Sequence, residues 1–383
     1  MVKYSEIIWG CGMNIGIIGF GNMGKTHAFA VNSLKYYYND VDFDPVLYGV
    51  CASNEKNSKL YAEKFGFVRA FSSPDELLSS PDIDVVDICT PNIFHYEHLK
   101  AAIEAGKSIY CEKPLTVSKK ESLEIAALAK EKGVVGGIVF NNRFLLPVMR
   151  AKEIIDSGSL GRILSFEVSY LHSSAMDIGR TGWKQDKDIC GGGVLMDLGS
   201  HAVDLVLHLC GKISSVSGKS QIAFSQRCSL NGEKDWTTNA EEAFYMTATL
   251  ESGAVGQIKV SKVHIGTNDD LTFEIYGEKG ALRFSLMEPN RLYYYDGRAS
   301  ENCGFTRIEC AGRYPSPASG FPGIKAPVGW IRGHIGSMHN FLRCVADKTT
   351  PSPGFDEGAM VQCVIDAAYR SDITRTEEKV AYI

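Results

Sequence analysis

The stretch Ile17-Ile-Gly19-Phe-Gly21-Asn-Met-Gly24-Lys25 constrains the fold of this chain more than any other. Asn14 to Ile18 reads as a short apolar strand, and Lys25 to Leu34 continues as a helix without Gly or Pro. A G-x-G-x-x-G held between strand and helix is a dinucleotide-binding turn. Gly19 permits the tight turn, Gly21 the approach of backbone to pyrophosphate, and Gly24 the close packing of helix on strand, with the helix N-terminus aimed at the phosphates. Phe20, Asn22 and Met23 lie inside the turn and are cofactor-contact candidates with it. The overlapping set Gly10, Gly12 and Gly16 leads into a strand instead of a helix and fails the same requirement. Met13 is then a candidate natural start, with residues 1–12 an extension.

The second strand, Pro45 to Ala52, is where an NAD site carries an acidic residue for the ribose. Here it is followed by Ser53-Asn54-Glu55-Lys56, with no carboxylate at the tip and no arginine to clamp a 2′-phosphate. Ser53 and Asn54 are therefore expected at the ribose, and the cofactor is NAD or NADP, with NADP or dual use favoured.

Apolar strands and helical stretches alternate from residue 14 to about 140, as in a parallel α/β sheet. Val85–Cys89, Ser108–Cys111 and Val134–Phe140 are strands of this set. Ser118-x-x-Glu121 opens a helix that runs to Lys132 and stops at Gly133. After Arg150 the pattern turns to two-residue alternation in Leu164–Leu171, Ala243–Leu250, Ala254–Val260, Leu271–Tyr276 and Ala281–Phe284. Helices are expected after Asp197, over Ser337–Asp347 and over Glu357–Arg370, and residues 296–332 read as a long loop. The fold expected is an α/β Rossmann domain over 1–145, then an α+β domain over 146–383 with an open, mainly antiparallel sheet.

A net charge of −5 without a Lys/Arg block excludes a nucleic-acid footprint. No apolar run reads as a bilayer span, and no signal peptide precedes the strand. The eleven cysteines include no C-x-x-C pair, and Cys51, Cys89 and Cys111 fall in apolar runs, as free thiols of a cytoplasmic protein do.

Three stretches carry chemistry. Cys89-Thr90-Pro-Asn92-Ile-Phe-His95 follows a parallel strand, which places Thr90, Asn92 and His95 at the ligand edge of the sheet. His95-x-x-His98 lacks a third ligand, and no metal is expected. Glu112-Lys113-Pro114 ends the next strand, where a lysine can lower the pKa of a reacting oxygen. In Gly191-Gly-Gly-Val-Leu-Met-Asp197-Leu-Gly-Ser-His201-Ala-Val-Asp204, Asp197 and His201 share a helix face. That spacing lets the carboxylate orient the imidazole and favour its protonated form, and the three glycines admit a ligand close to the backbone.

Together these motifs resemble the Gfo/Idh/MocA family of NAD(P)-dependent oxidoreductases, whose better-known members act on sugars and cyclitols. The resemblance covers most of the chain: the glycine turn, Thr90-Pro-Asn92-x-x-His95, Glu112-Lys113-Pro114 and Gly193 to Asp204. It implies that Lys113, Asp197 and His201 carry catalysis and that Glu112 joins the cofactor site. It also implies substrate contacts at Arg143, Trp183 and Lys184, and a homo-oligomer, dimer or tetramer, built on the open sheet. The expected reaction is reversible oxidation of a secondary alcohol on a sugar, glycoside or cyclitol. The alternatives are a glycoside hydrolase acting by transient oxidation and elimination, and a non-catalytic nucleotide-binding regulator.

Overall fold

Five short apolar runs, with the two-residue edge strand Arg69–Ala70, pair in parallel because the inner ones can be buried on both faces. A computed structural model describes residues 12–38, 41–179, 182–228, 235–298, 304–310 and 329–382. Gly10 and the rest of residues 1–11 of the expected extension, and 299–303 and 311–328 of the expected loop, lie outside these. The strands are β1 (Gly12–Ile18), β2 (Asp44–Cys51), β3 (Arg69–Ala70), β4 (Val85–Ile88), β5 (Ser108–Cys111) and β6 (Gly136–Ile138), in the order β3-β2-β1-β4-β5-β6. Between them run α1 (Asn22–Tyr37), α2 (Glu55–Phe65), α3 (Pro74–Ser79), α4 (His95–Glu104) and α5 (Lys119–Lys132). The order reverses at β1, so a crevice opens beyond the ends of β1 and β4, the position where such sheets bind ligands. Helix ends follow the sequence: Ser118 accepts a hydrogen bond from the Glu121 N–H, and Gly133 ends α5 in the left-handed region.

The second half begins with α6 (Leu146–Asp156) and β7 (Ile163–Leu171), then α7 (Lys187–Cys190), α8 (Ser200–Leu209) and β8 (Ile213–Gln221). A two-stranded ribbon, β9 (Gln226–Cys228) with β10 (Asp235–Thr237), stands apart from the main sheet. There follow β11 (Ala243–Leu250), β12 (Val255–Ser261), β13 (Asp270–Gly277), β14 (Gly280–Ser285), β15 (Arg291–Asp296) and β16 (Thr306–Glu309). The chain closes with α9 (Ile331–Asp347), α10 (Phe355–Thr374) and β17 (Glu378–Lys379). Nine strands form the sheet β16-β15-β14-β13-β7-β12-β11-β8-β17, antiparallel except between β7 and β12. β16 falls inside the stretch expected to be loop.

Alternation divides the faces of this sheet. Phe244, Met246 and Ala248 of β11 point into the core, whereas Tyr245 and Thr247 face outward. The helical stretch Lys187–Leu209 is long and apolar enough to cross a membrane, contrary to the sequence expectation, yet most of it is buried inside the protein. α9 and α10 return to the first sheet: Phe355 packs on Gly136 and Phe341 on Gly137. Both ends of the chain thus hold the crevice.

Candidate active site

The glycine turn has the geometry its sequence requires. Gly19 has φ +89°, and a Cβ there would lie 2.6 Å from the Cys89 carbonyl oxygen. A Cβ on Gly24 would strike the Gly19 carbonyl, so these two positions pack helix on strand without room for a side chain. Around Gly21, the residue before α1, nothing approaches within 4 Å of a Cβ. α1 has no side-chain cap and no acidic residue in its first turn, so its leading N–H groups remain for an anion. These features fit a dinucleotide pyrophosphate. Asn22 is exposed and Met23 half-buried at the same mouth. Phe20 is not a surface contact: it is buried among Tyr61, Phe65 and Phe67, because an apolar ring in the turn finds an aromatic pocket below it.

Ser53 and Asn54 are exposed at the end of β2. Asn54 Oδ1 accepts from the Asn57 N–H at 2.9 Å and caps α2, and Ser53 Oγ accepts from Asn57 Nδ2 at 3.2 Å. Glu55 is turned to Lys59, leaving no carboxylate at the tip among the described residues.

Two members of the Thr90 turn point away from the crevice. His95 begins α4 fully buried, with Nδ1 2.8 Å from the Pro114 carbonyl and Nε2 3.0 Å from the Thr90 carbonyl. Burial pushes its pKa down, and the ring, held between two carbonyls, braces two loops and does not meet a ligand. Asn92 donates through Nδ2 to the Cys190 carbonyl at 2.9 Å, tying the first sheet to the second half of the chain. Thr90 stays half-buried at the edge, 3.3 Å from His98 Nδ1.

Lys113 and Asp197 meet across the two halves of the chain. Lys113 Nζ donates to Asp197 Oδ1 at 2.8 Å and to its carbonyl at 2.9 Å. Lys184 Nζ reaches Oδ2 at 3.0 Å and lies over the Trp183 ring, so both expected residues border the site. A third ammonium, that of Lys262, reaches Oδ2 at 2.8 Å. Burial alone would raise the Asp197 pKa, but Lys113, Lys184 and Lys262 hold it well below the usual carboxylate range. Lys262 was missed, although it continues the inward parity of Ile258 and Val260 just past β12. Asp269 was missed too; its carboxylate is hydrogen-bonded to Tyr170, whose ring lies 6.0 Å from that of His201.

Asp197 does not orient His201. Leu195–Gly199 forms a π turn before α8, which breaks the i,i+4 geometry, and the lysines take the carboxylate. His201 is buried beside Phe140 and Tyr170, and its Nδ1 has no hydrogen-bond partner. Burial and the nearby Lys113 charge push its pKa down to about 3, so the ring is neutral rather than protonated.

The glycines before it leave no gap for a ligand: Val117, Tyr369 and Glu241 fill the space at Gly191, Gly192 and Gly193 in turn. Glu241 also accepts from the Leu195 N–H at 3.0 Å, which fixes the π turn and so Asp197. Glu112 is buried, its carboxylate turned to His27 and to the Lys113 N–H. Arg143 does not face a substrate. Its guanidinium is buried against Asp204, with Nε 3.0 Å from Oδ2 and a terminal nitrogen 2.5 Å from Oδ1. A buried carboxylate at Asp204 requires that partner.

An uncapped helix N-terminus at a Rossmann crevice, beside Lys113 and a neutral imidazole, defines a nicotinamide-dependent oxidoreductase. Residues 13–140 match the oxidoreductase family with an NAD-binding Rossmann fold, and 148–283 match the GFO/IDH/MocA C-terminal domain. The levoglucosan dehydrogenase of Pseudarthrobacter phenanthrenivorans is 30% identical over 94% of this chain and 96% of its own. The D-glucoside 3-dehydrogenase of Escherichia coli is 27% identical over 95% and 96%. A structure of levoglucosan dehydrogenase in complex with NADH and levoglucosan superposes with a TM-score of 0.93, at 30% identity, over 97% of this chain and all of that one. The chain belongs to the Gfo/Idh/MocA oxidoreductase family. It is an enzyme, a dehydrogenase acting on a CH–OH group, and the expectation of catalysis over a regulator is borne out.

Proposed function

We propose that this enzyme reversibly oxidises a ring secondary hydroxyl of a glucose-type sugar or glycoside. The observation that carries the reading is the meeting of Lys113, Asp197 and neutral His201 at the ligand edge of the first sheet. The names of the levoglucosan and D-glucoside dehydrogenases support the substrate class. A bound nicotinamide supplies the hydride acceptor; the chain supplies placement and proton chemistry. Lys113 polarises the hydroxyl oxygen and stabilises the charge that develops on it. His201, held neutral, takes the hydroxyl proton. Asp197 fixes Lys113, and Lys262 and Lys184 keep that carboxylate ionised. Tyr170 and Asp269 offer hydrogen bonds to the remaining hydroxyls of a ring.

The end of β2 supports use of both NAD and NADP: it has neither a carboxylate to repel a 2′-phosphate nor an arginine to grip one. The open outer face of the second sheet, which leaves Tyr245 and Val255 exposed, supports a homo-oligomer, and nine unpaired cysteines among the described residues support the cytoplasm. The net charge of −5 supports a small-molecule partner instead of a nucleic acid.

Lys113→Met and His201→Asn test the roles. Each is expected to lower kcat by about 10²–10⁴-fold, with cofactor affinity by fluorescence titration close to the parent's. Unimpaired turnover in either variant removes that residue from the mechanism.

A further inference from the structure

α1 carries one ionisable residue that the fold encloses completely. His27, one turn beyond the glycine motif, is 1% exposed. Its Nδ1 lies 3.0 Å from both Asp87 carboxylate oxygens and 3.2 Å from Cys89 Sγ. Its Nε2 lies 3.2 Å from Glu112 Oε1; the contact is off the hydrogen-bond line, and neither atom has a hydrogen-bond partner. A neutral imidazole has one N–H. With a carboxylate at each nitrogen, it would set its lone pair against one of them, whereas an imidazolium offers a hydrogen bond to Asp87 and a positive charge to Glu112. The other Glu112 oxygen, Oε2, accepts from the Lys113 backbone N–H at 3.1 Å. A line of contacts therefore runs from Asp87 through His27 and Glu112 to the Lys113 peptide, and on through Lys113 Nζ to Asp197.

We propose that His27 is a positioning residue, a buried cation that grips Asp87 and Glu112 together and so fixes the peptide from which Lys113 reaches the substrate. The proposal rests on the reading that Lys113 acts at the reacting hydroxyl. The groups around the ring are consistent with it on every side. From β4 come Asp87 and the Cys89 thiol, which burial pushes up and keeps protonated. β5 supplies the Tyr110 ring at 5.3 Å, with Glu112 and Lys113 beyond it. α9 supplies His334, ring centroids 6.0 Å apart, which burial holds neutral with a pKa of about 3. Burial opposes a charge on His27 too, yet the Asp87 carboxylate beside it raises its pKa well above the ordinary value. Glu112, against burial, is drawn down to about 2 by His27 and Lys113. His27, Asp87 and Cys89 are also close enough to share a metal ion, which would demand a thiolate and a neutral ring in place of the cation.

The test is a nitrogen-15 NMR spectrum of the NAD-saturated full-length enzyme, with the His27 ring assigned by its absence in His27→Gln or through its couplings to Cβ. A ring protonated on both nitrogens at about pH 8, where a free histidine is neutral, is the expected result. A neutral tautomer there, or one equivalent of zinc in the purified protein, overturns the proposal. The spectrum needs no substrate, so it decides the charge on His27 even if no sugar is turned over. With a substrate in hand, His27→Gln, Glu112→Gln and the double variant form a cycle. Each single variant is expected to lower kcat by about tenfold or more with sugar KM nearly unchanged, and the double to be no worse than the worse single. Losses that multiply would show that His27 does not act through Glu112. If His27→Gln does not fold, the parent's spectrum, assigned through the Cβ couplings, still decides whether the ring is charged.

Discussion

His201 is enclosed by Phe140 and Tyr170 and lies near the Lys113 ammonium, and both effects disfavour a second proton on its ring. A pKa of about 3 keeps the imidazole neutral but weakly basic across the working range, so the transfer depends on Lys113 acidifying the hydroxyl. The pH profile of kcat/KM for oxidation should therefore show no acid limb near 6.5 that disappears in a weakly active His201 variant. Such a limb would mean that His201 titrates normally and that the ring is not enclosed as described.

The sequence spacing named Lys113, Asp197 and His201, and the fold brings them together. Spacing located these residues on the chain but left their side-chain directions open. Asn92, His95 and Arg143 occupy motif positions, yet a carbonyl or a carboxylate within the protein claims each of them. Lys262 and Asp269 belong to no motif and reach the site because β12 and β13 flank β7 on its two sides.

At the scale of elements, the strand–turn–helix unit of β1 and α1 assigns different tasks to glycines two and three positions apart. Gly24→Ala places a methyl group on the Gly19 carbonyl, and overpacking of that kind costs about 1–3 kcal/mol. Gly21→Ala meets nothing in the protein itself. Thermal melts with cofactor titrations should find Gly24→Ala both less stable and poor in binding. Gly21→Ala should melt like the parent and bind the dinucleotide roughly tenfold more weakly or worse, as expected where backbone must approach a phosphate. Equal cofactor affinity in Gly21→Ala would place the pyrophosphate elsewhere.

The elements most visible in the sequence were those with a regular apolar period, such as β11, whose limits match the expected Ala243–Leu250. β8 was silent because Ile213-Ser-Ser-Val-Ser-Gly-Lys-Ser-Gln221 buries only two apolar side chains fully and takes its place by pairing with β11. The π turn at Leu195–Gly199 had no signal of its own. It depends on Glu241, 46 residues beyond Leu195 along the chain, which binds the Leu195 N–H.

Across the whole molecule, closing the crevice with α9 and α10 buries further histidines in neutral form. His201 and His334 are both pushed down to about 3 by burial, from an ordinary value of 6.5. Between these limits the unfolded chain binds more protons than the folded one, so stability falls as pH falls. At pH 5 the loss is roughly 2 kcal/mol for each of the two rings. His27 has the opposite sign: its raised pKa contributes stability below 6.5 that is lost as pH rises through its folded value. His208, also pushed down to about 3, adds to these two rings, while Asp204, raised to about 6, works with His27 against them. The three neutral histidines outweigh both, and the melting temperature of the apo enzyme should drop by several degrees between about pH 7.5 and pH 5. A flat profile over that range would contradict the burial of His201 and His334.

The change of period near Arg150 was legible in the sequence, but the return of the last two helices to the first sheet was not. That return depends on Phe341 and Phe355 fitting against Gly136 and Gly137, a match of shapes that periodicity does not encode. What both halves build together is a site for hydride transfer from a sugar hydroxyl, and the absorbance of reduced nicotinamide measures that directly. NAD and NADP, offered separately with a panel of free sugars, glycosides, sugar acids and inositols, should give reduced cofactor with glucose-type rings and with both dinucleotides. Cofactor that binds without being reduced by any member of the panel, or release of an aglycone without net reduction, would contradict the proposed sugar dehydrogenase.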